Sequence, residues 1–234
     1  MTETSNLSLP LLQPSQAQKH VTVNEALVRL DALSALVLLS RSLPSPPEGV
    51  ADGSCYALPA SASGLWAGQG GRVAVFVNGG WIFVDPRRGW RAWIEDEHVL
   101  ALYDGASWRG GAIALSVGGA GSFFKVKEFD HTIMPGERSI TTGVIPANVM
   151  VFAVTARVLE PIAGALDSWQ LGTDGAEDRF GSGLGLVSGS FARGLLSSPM
   201  TYYEAAPLVL TPVAGDFMAG AVRIAVHYYE PSIP

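Results

Sequence analysis

Residues 13–40, QPSQAQKHVTVNEALVRLDALSALVLLS, are the stretch in which the apolar pattern turns helical, and the rest of the chain is arranged after it. Ser15 can accept from the free amides of a first turn, Gln18 can reach back to it, and Pro14 discourages any earlier start. From there Val23, Leu27, Leu30, Leu33 and Val37 recur at spacings of three and four. They line one side of an expected helix over 15–42, about 25 residues and ~38 Å of well-formed turns. Off that stripe the first half is polar (Lys19, Asn24, Glu25, Arg29, Asp31), whereas ALSALVLL in the second half is apolar nearly all round. Such a surface must be covered, either by the chain's own domain or by copies of the helix in an oligomerisation seam. The apolar run falls short of the ~20 residues of a membrane span, so no membrane insertion is expected.

Composition narrows the classes. The 234 residues are 48% hydrophobic and 15% charged, against roughly 25% charged in ordinary soluble domains. That shortage of charge suggests surface hidden in an assembly. A net charge of −6 without any basic cluster argues against a nucleic-acid partner. Cys55 is the single cysteine, and His20, His98, His131 and His227 lie far apart. No intrachain disulfide, cysteine-rich metal site or helix-based zinc site is therefore expected, and no cofactor. The opening MTETSNLSLPLLQ lacks a basic segment followed by an apolar core, so synthesis in the cytoplasm without a signal peptide is the expectation.

Residues 1–14 read as an extended, poorly ordered attachment arm. The turn-rich LPSPPEGVADGS (43–54) opens a small Trp-rich antiparallel β domain over 43–110. There RVAVFV (72–77), WIFV (81–84), WRAWI (90–94) and VLALY (99–103) alternate with Asn78-Gly79-Gly80, Pro86 to Gly89 and Asp104-Gly105, strands and tight turns in succession. Trp66, Trp81 and Trp93 are expected to fill its core, and Trp90, among Arg87, Arg88 and Arg91, to be the exposed indole. GGAIALSVGGAGS supplies a Gly-rich hinge over 111–122. Residues 123–234 then predict a C-terminal β-sandwich of jelly-roll type, from strand candidates at 123–129, 137–141, 149–158, 195–198, 201–205, 207–212 and 221–229. In VMVFAVTARV, Met150, Phe152, Val154, Ala156 and Val158 alternate against Val151, Ala153, Thr155 and Arg157. In AVRIAVHYY, Val222, Ile224, Val226 and Tyr228 alternate against Arg223, Ala225, His227 and Tyr229. The fold class is thus mainly β with one helix. The Gly-, Asp- and Ser-rich segment 164–194 is either a functional loop or a set of short strands.

No nucleophile elbow, Walker or dinucleotide motif occurs, so no catalytic residue is assigned. Asp167, Trp169, Asp174, Asp178 and Arg179, with Tyr202 and Tyr203, have the content of a sugar site, an aromatic platform beside hydrogen-bonding charges. Asp174, Glu177 and Asp178 could alternatively ligate calcium or form the acid pair of a glycosidase, or simply face solvent.

Two blocks carry a resemblance: QPSQAQKHVTVNEAL within residues 9–33, and WAGQGGRVAVF, PRRGWRAWIEDE and YDGASW within residues 65–108. They resemble a domain of uncharacterised function that opens many fibre and spike proteins of phages and phage-like gene transfer agents in alphaproteobacteria. The resemblance implies a homotrimeric, virion-type head spike or fibre on the surface of a phage-like particle. It would be attached to a spike base or capsid through its N-terminal region and would adhere to host capsular polysaccharide. It transfers no catalytic residue. A capsule-degrading depolymerase and a purely structural collar without ligand are the alternatives.

Overall fold

The computed structural model describes residues 2–13 and 19–234, so the expected cap at Pro14, Ser15 and Gln18 lies outside the described residues. The chain divides into two units, Met1–Ala112 and Ile113–Pro234, and among the described residues strands far outweigh one α-helix, a mainly β fold.

In the first unit the helix α1 spans Lys19–Ser34 and is followed by β1 (Val37–Leu38), β2 (Cys55–Ala57), a 3-10 turn at Gly64–Trp66, β3 (Val73–Val77), β4 (Gly80–Val84), β5 (Arg91–Ile94), β6 (Val99–Tyr103) and β7 (Trp108–Gly110). The helix stops eight residues short of the expected end at 42. Ser34 turns its hydroxyl back onto the Leu30 carbonyl at 2.6 Å. Val37 and Leu38 then pair in parallel with Trp93 and Ile94. Leu38 is fully buried there, and burying a leucine is worth about 2 kcal/mol, several times the propensity gained by one more helical residue. The helix rests on its own unit through Asp31 and Ala32, which are buried, while Val23 and Leu30 of the predicted stripe stay exposed.

The N-terminal residues are not a loose arm. Thr4 and Leu9 pair through Thr4 N–H donating to the Leu9 carbonyl at 2.9 Å, and Leu11 N–H reaches the Thr2 carbonyl at 2.8 Å. The Asp31 carboxylate holds this small hairpin, accepting from Thr4 Oγ1 and Leu7 N at 2.6 Å each and from Asn6 N at 3.0 Å. Asn24 adds two bonds to the backbone of Leu12.

Two sheets, β1-β5-β6-β7 and β2-β3-β4, share a core containing Leu38, Val73, Val75, Ile94 and Trp108. Asn78 and Gly79, at φ +50° and +75°, form the two-residue turn that joins β3 to β4, as a primed hairpin turn requires. Tyr56, Trp66 and Trp81 pack ring to ring on the other side of β2-β3-β4. The expectation for Trp90 and Trp93 is reversed. Trp90 packs against the core, whereas Trp93 alternates with inward-facing Ala92 and Ile94 and emerges 37% exposed.

Cys55 lies in the same core, 2% exposed. Burial, reinforced by the Asp31 charge, pushes its thiol from the ordinary 9.0 up to about 12. The folded state therefore binds this proton more tightly than the unfolded chain. Its contribution is intact below pH 9.0 and is lost as pH rises toward about 12. Native protein at pH 8 is expected to resist iodoacetamide, with labelling only on unfolding, and Cys55→Ala should remove this part of the alkaline destabilisation. Prompt labelling of native protein, followed by mass spectrometry, would contradict the burial argument.

The second unit contains β8 (Ala112–Leu115), β9 (Gly121–Thr132), β10 (Ser139–Ile140), β11 (Val149–Gly164), β12 (Ser168–Thr173), β13 (Ala176–Leu184), β14 (Phe191–Tyr202), β15 (Val209–Val213) and β16 (Phe217–Ser232). The Gly-rich segment expected as a hinge holds β8, a turn in which Gly119 has φ +99°, and the start of β9. Segment 164–194 likewise resolves into β12, β13 and the start of β14. The antiparallel pairs β12·β13, β11·β14, β10·β15 and β9·β16 are nested one inside the next. They form a single long hairpin that rolls up when β11 also pairs β16 and β12 also pairs β15. The result is the jelly roll anticipated from the strand count: sheets β14-β11-β16-β9-β8 and β10-β15-β12-β13. Trp169, Leu171, Leu210, Phe217 and Ile224 fill the space between them. At the turn into β16, Gly215 has φ +111°, and a Cβ there would overlap the Ala165 carbonyl oxygen. This glycine is therefore a packing requirement as well as a turn residue.

A register shift between Val151 and Ala153 changes which side chains of β11 face outward. Val149 and Val151 join Val154, Ala156 and Val158 in the core, while Met150 and Phe152 stay only partly covered. The simple alternation expected for VMVFAVTARV is therefore broken by a bulge, which swaps the faces of its first residues.

Candidate functional site

The residues expected to form a sugar site do not assemble into one. Trp169 is fully buried and its indole Nε1 donates to the Gly185 carbonyl at 3.0 Å. No sugar ring can stack on it. Asp167 and Asp174 flank β12 at opposite ends, ~20 Å apart at the strand rise. Asp174 is a solvent-facing carboxylate that accepts from Arg138 Nη2 at 2.6 Å. Asp178 is exposed, as is Tyr203 at 78%. Arg179 and Tyr202 do come together. The guanidinium donates through Nε to Thr173 Oγ1 at 3.1 Å and lies 3.0 Å from Met200 Sδ, and burial pushes the neighbouring Tyr202 phenol above its ordinary range. Among the described residues no group of three or more His, Cys, Asp or Glu is placed to hold a metal ion.

The outward face of β14-β11-β16-β9 is built differently. Pairing puts Phe191, Arg157, Arg223 and Asp130 in one row across the four strands, and Arg193, Thr155, Ala225 and Glu128 in the next. Thr155 and Ala225 are short and their neighbours long, so the sheet sinks into a groove of about 500 Å³ with those two as floor. Arg223 is neutralised on one wall by Asp130, through bonds of 2.7 and 2.9 Å, with Glu128 at 3.8 Å. Arg157 and Arg193 have no ion-pair partner among the described residues, and Arg193 sits 5.7 Å over the ring of Phe191, which is 59% exposed. Beyond the groove the same face becomes aromatic, with Phe124 stacked on Phe152 at 5.3 Å and 6°. None of these residues was picked out from the sequence as a site. The only available signal was that Arg157 and Arg223 each interrupt the outward side of an otherwise apolar strand.

In the first unit the five residues expected as a self-association seam are divided. Val23 and Leu30 are exposed at 42% and 57%, Leu27 and Leu33 are half-buried, and Val37 lies in β1 rather than on the helix. Val37 has gained new company. It pairs with Trp93, which pairs in turn with Leu100, and the three stand in a row on the solvent side, 42%, 37% and 53% exposed. Trp93 directs its Nε1–H to Glu95 Oε2 at 2.7 Å, and the His98 ring lies tilted 6.4 Å from the indole. Beside the row, Arg41 bridges the Glu97 carboxylate at 2.6 and 2.7 Å and the Trp108 carbonyl. This ion pair holds Glu97 below the usual carboxylate range.

Residues 23–109, which include this row, match the family described as "Protein of unknown function (DUF2793)". Among the curated proteins no relative matches the sequence. A chain from the solved cyanophage Pam1 capsid asymmetric unit is similar over 51% of this chain and 91% of that one, at 20% identity and a TM-score of 0.37.

Proposed function

We propose that this chain is a structural, non-catalytic spike or fibre subunit of a phage-like particle, a gene-transfer-agent head spike. In this reading it associates as a homotrimer through its first unit and adheres to host capsular polysaccharide with its jelly roll. The observation that carries the proposal is the uncovered row Val37, Trp93 and Leu100, with Leu30 also exposed, on a chain poor in charge. Each such side chain removed from water is worth about 1.5–3 kcal/mol, and three copies of the row could cover one another around an axis. The resemblance of residues 9–33 and 65–108 to the opening domain of fibre and spike proteins supports the same placement. Attachment to a spike base or capsid belongs to the N-terminal region in this reading. Weak single sites on three identical jelly rolls, and many spikes per particle, then suffice for firm adhesion through avidity.

Sedimentation equilibrium of the purified chain tests the self-association. Wild-type protein is expected to run as a trimer at micromolar concentration, and the double variant Trp93→Glu/Leu100→Glu as a folded monomer with an unchanged circular dichroism spectrum. A well-folded wild-type monomer would refute the assembly. Pull-down with capsule is expected to retain the trimer without release of new reducing ends, and steady release would instead mark a depolymerase.

A further inference from the structure

We infer that the groove on the outward face of β14-β11-β16-β9 is a binding site for a carboxylate-bearing sugar, a hexuronate or similar unit within an acidic polysaccharide. The inference rests on the adhesion reading above and specifies its ligand and its place. On a chain of net charge −6, Arg157 and Arg193 stand on diagonally adjacent positions of one sheet face, Arg157 opposite Phe191 and Arg193 opposite Thr155. Two like charges so placed repel one another, and among the described residues neither forms an ion pair. Of the acids on this face, Asp130 is doubly hydrogen-bonded to Arg223, and Glu128 lies 3.8 Å from the same guanidinium. An anion between Arg157 and Arg193 would relieve the repulsion, and planar guanidinium forks match a planar carboxylate with two parallel hydrogen bonds.

The remaining walls suit a sugar rather than a bare ion. Phe191 offers an exposed ring on which the apolar face of a pyranose can lie. The Thr155 hydroxyl, 3.1 Å from His227 Nε2, and the Glu128 carboxylate supply partners for ring hydroxyls. The groove volume of about 500 Å³ lies in the range of small-molecule sites and exceeds what an inorganic ion needs.

The full-length chain is titrated with polygalacturonate and hyaluronan, which carry uronate carboxylates, and with neutral dextran, by calorimetry at low and moderate salt. At least one polyuronate is expected to bind with salt-dependent affinity, and dextran not to bind. Arg157→Ala/Arg193→Ala should weaken that binding about tenfold or more without moving the unfolding midpoint, because both side chains are exposed. Arg157→Lys/Arg193→Lys preserves the charge and should still lose most of the affinity. Undiminished binding by either double variant would overturn the inference, the lysine form by reducing the site to a diffuse positive patch. Binding of dextran alone would overturn the acidic groove and leave adhesion standing. A blank result with these glycans and with intact capsule would overturn both.

Discussion

Trp169→Ala is expected to cost about 3–5 kcal/mol and to unfold the jelly roll at moderate temperature. The indole is completely buried between the two sheets, and truncating a core aromatic residue removes its transfer energy and leaves a cavity the sheets cannot close. The loss is compounded at the Gly185 carbonyl, which now accepts from the indole Nε1 and would be left without that donor. Trp169→Phe separates the two contributions: it keeps most of the apolar bulk and gives up the hydrogen bond, for about 1–2 kcal/mol. Urea unfolding followed by circular dichroism reads both. If Trp169 were instead a sugar platform, Trp169→Ala would lose glycan binding at an unchanged midpoint, and that outcome would contradict its burial between the sheets.

The second large effect is expected at Asp31, where Asp31→Ala should destabilise the first unit by about 3 kcal/mol and release its N-terminal hairpin. Three donors converge on this carboxylate: the Thr4 hydroxyl and the amides of Leu7 and Asn6. Hydrogen bonds to a charged acceptor are each worth about 1.5–3 kcal/mol. Part of that sum is recovered as the freed hairpin regains conformational entropy and its donors return to water. Asp31→Asn should fall in between, because an amide offers one acceptor oxygen and turns two hydrogens toward groups that are themselves donors. Limited proteolysis is the direct readout, with cleavage before residue 13 appearing in Asp31→Ala and not in the wild-type chain. Equal resistance and equal midpoints would show that the hairpin is held by other contacts. Because the Asp31 charge also helps to raise the Cys55 thiol, Asp31→Ala should make that thiol easier to ionise.

Much of the fold was legible because its signals are local. Asn78-Gly79 can hardly be anything but a tight hairpin turn, and the apolar runs around it become β3 and β4. AVRIAVHYY alternates without interruption, and its four core residues, Val222, Ile224, Val226 and Tyr228, are all buried. The start of the neighbouring β11 was misassigned because one bulged residue shifts the phase, and a bulge leaves no local mark when both candidate faces are apolar. The helix end was missed for a different reason. VLL reads as a continued helix until Trp93 and Ile94, more than fifty residues away, offer it a strand partner.

The candidate sites were far less legible. Composition points to a sugar site on Asp167, Trp169, Asp174, Asp178 and Arg179 with Tyr202 and Tyr203, because it cannot tell an exposed tryptophan from a buried one. The groove draws instead on Glu128, Arg157, Arg193 and Arg223, each from a different strand. The exposed row of the first unit joins Val37, Trp93 and Leu100 in the same way.

The amino-acid sequence by itself determined that this chain would be mainly β with one helix, where most strands and turns would fall, and that too little charge was present to cover its surface. Only the tertiary structure decided that Trp169 lies inside, that Val37 belongs to a sheet, and that arginines 36 and 66 residues along from Arg157 share its groove. Turn propensity and side-chain alternation are properties of neighbouring residues. Facing, register and convergence depend on which distant strand supplies the hydrogen bonds.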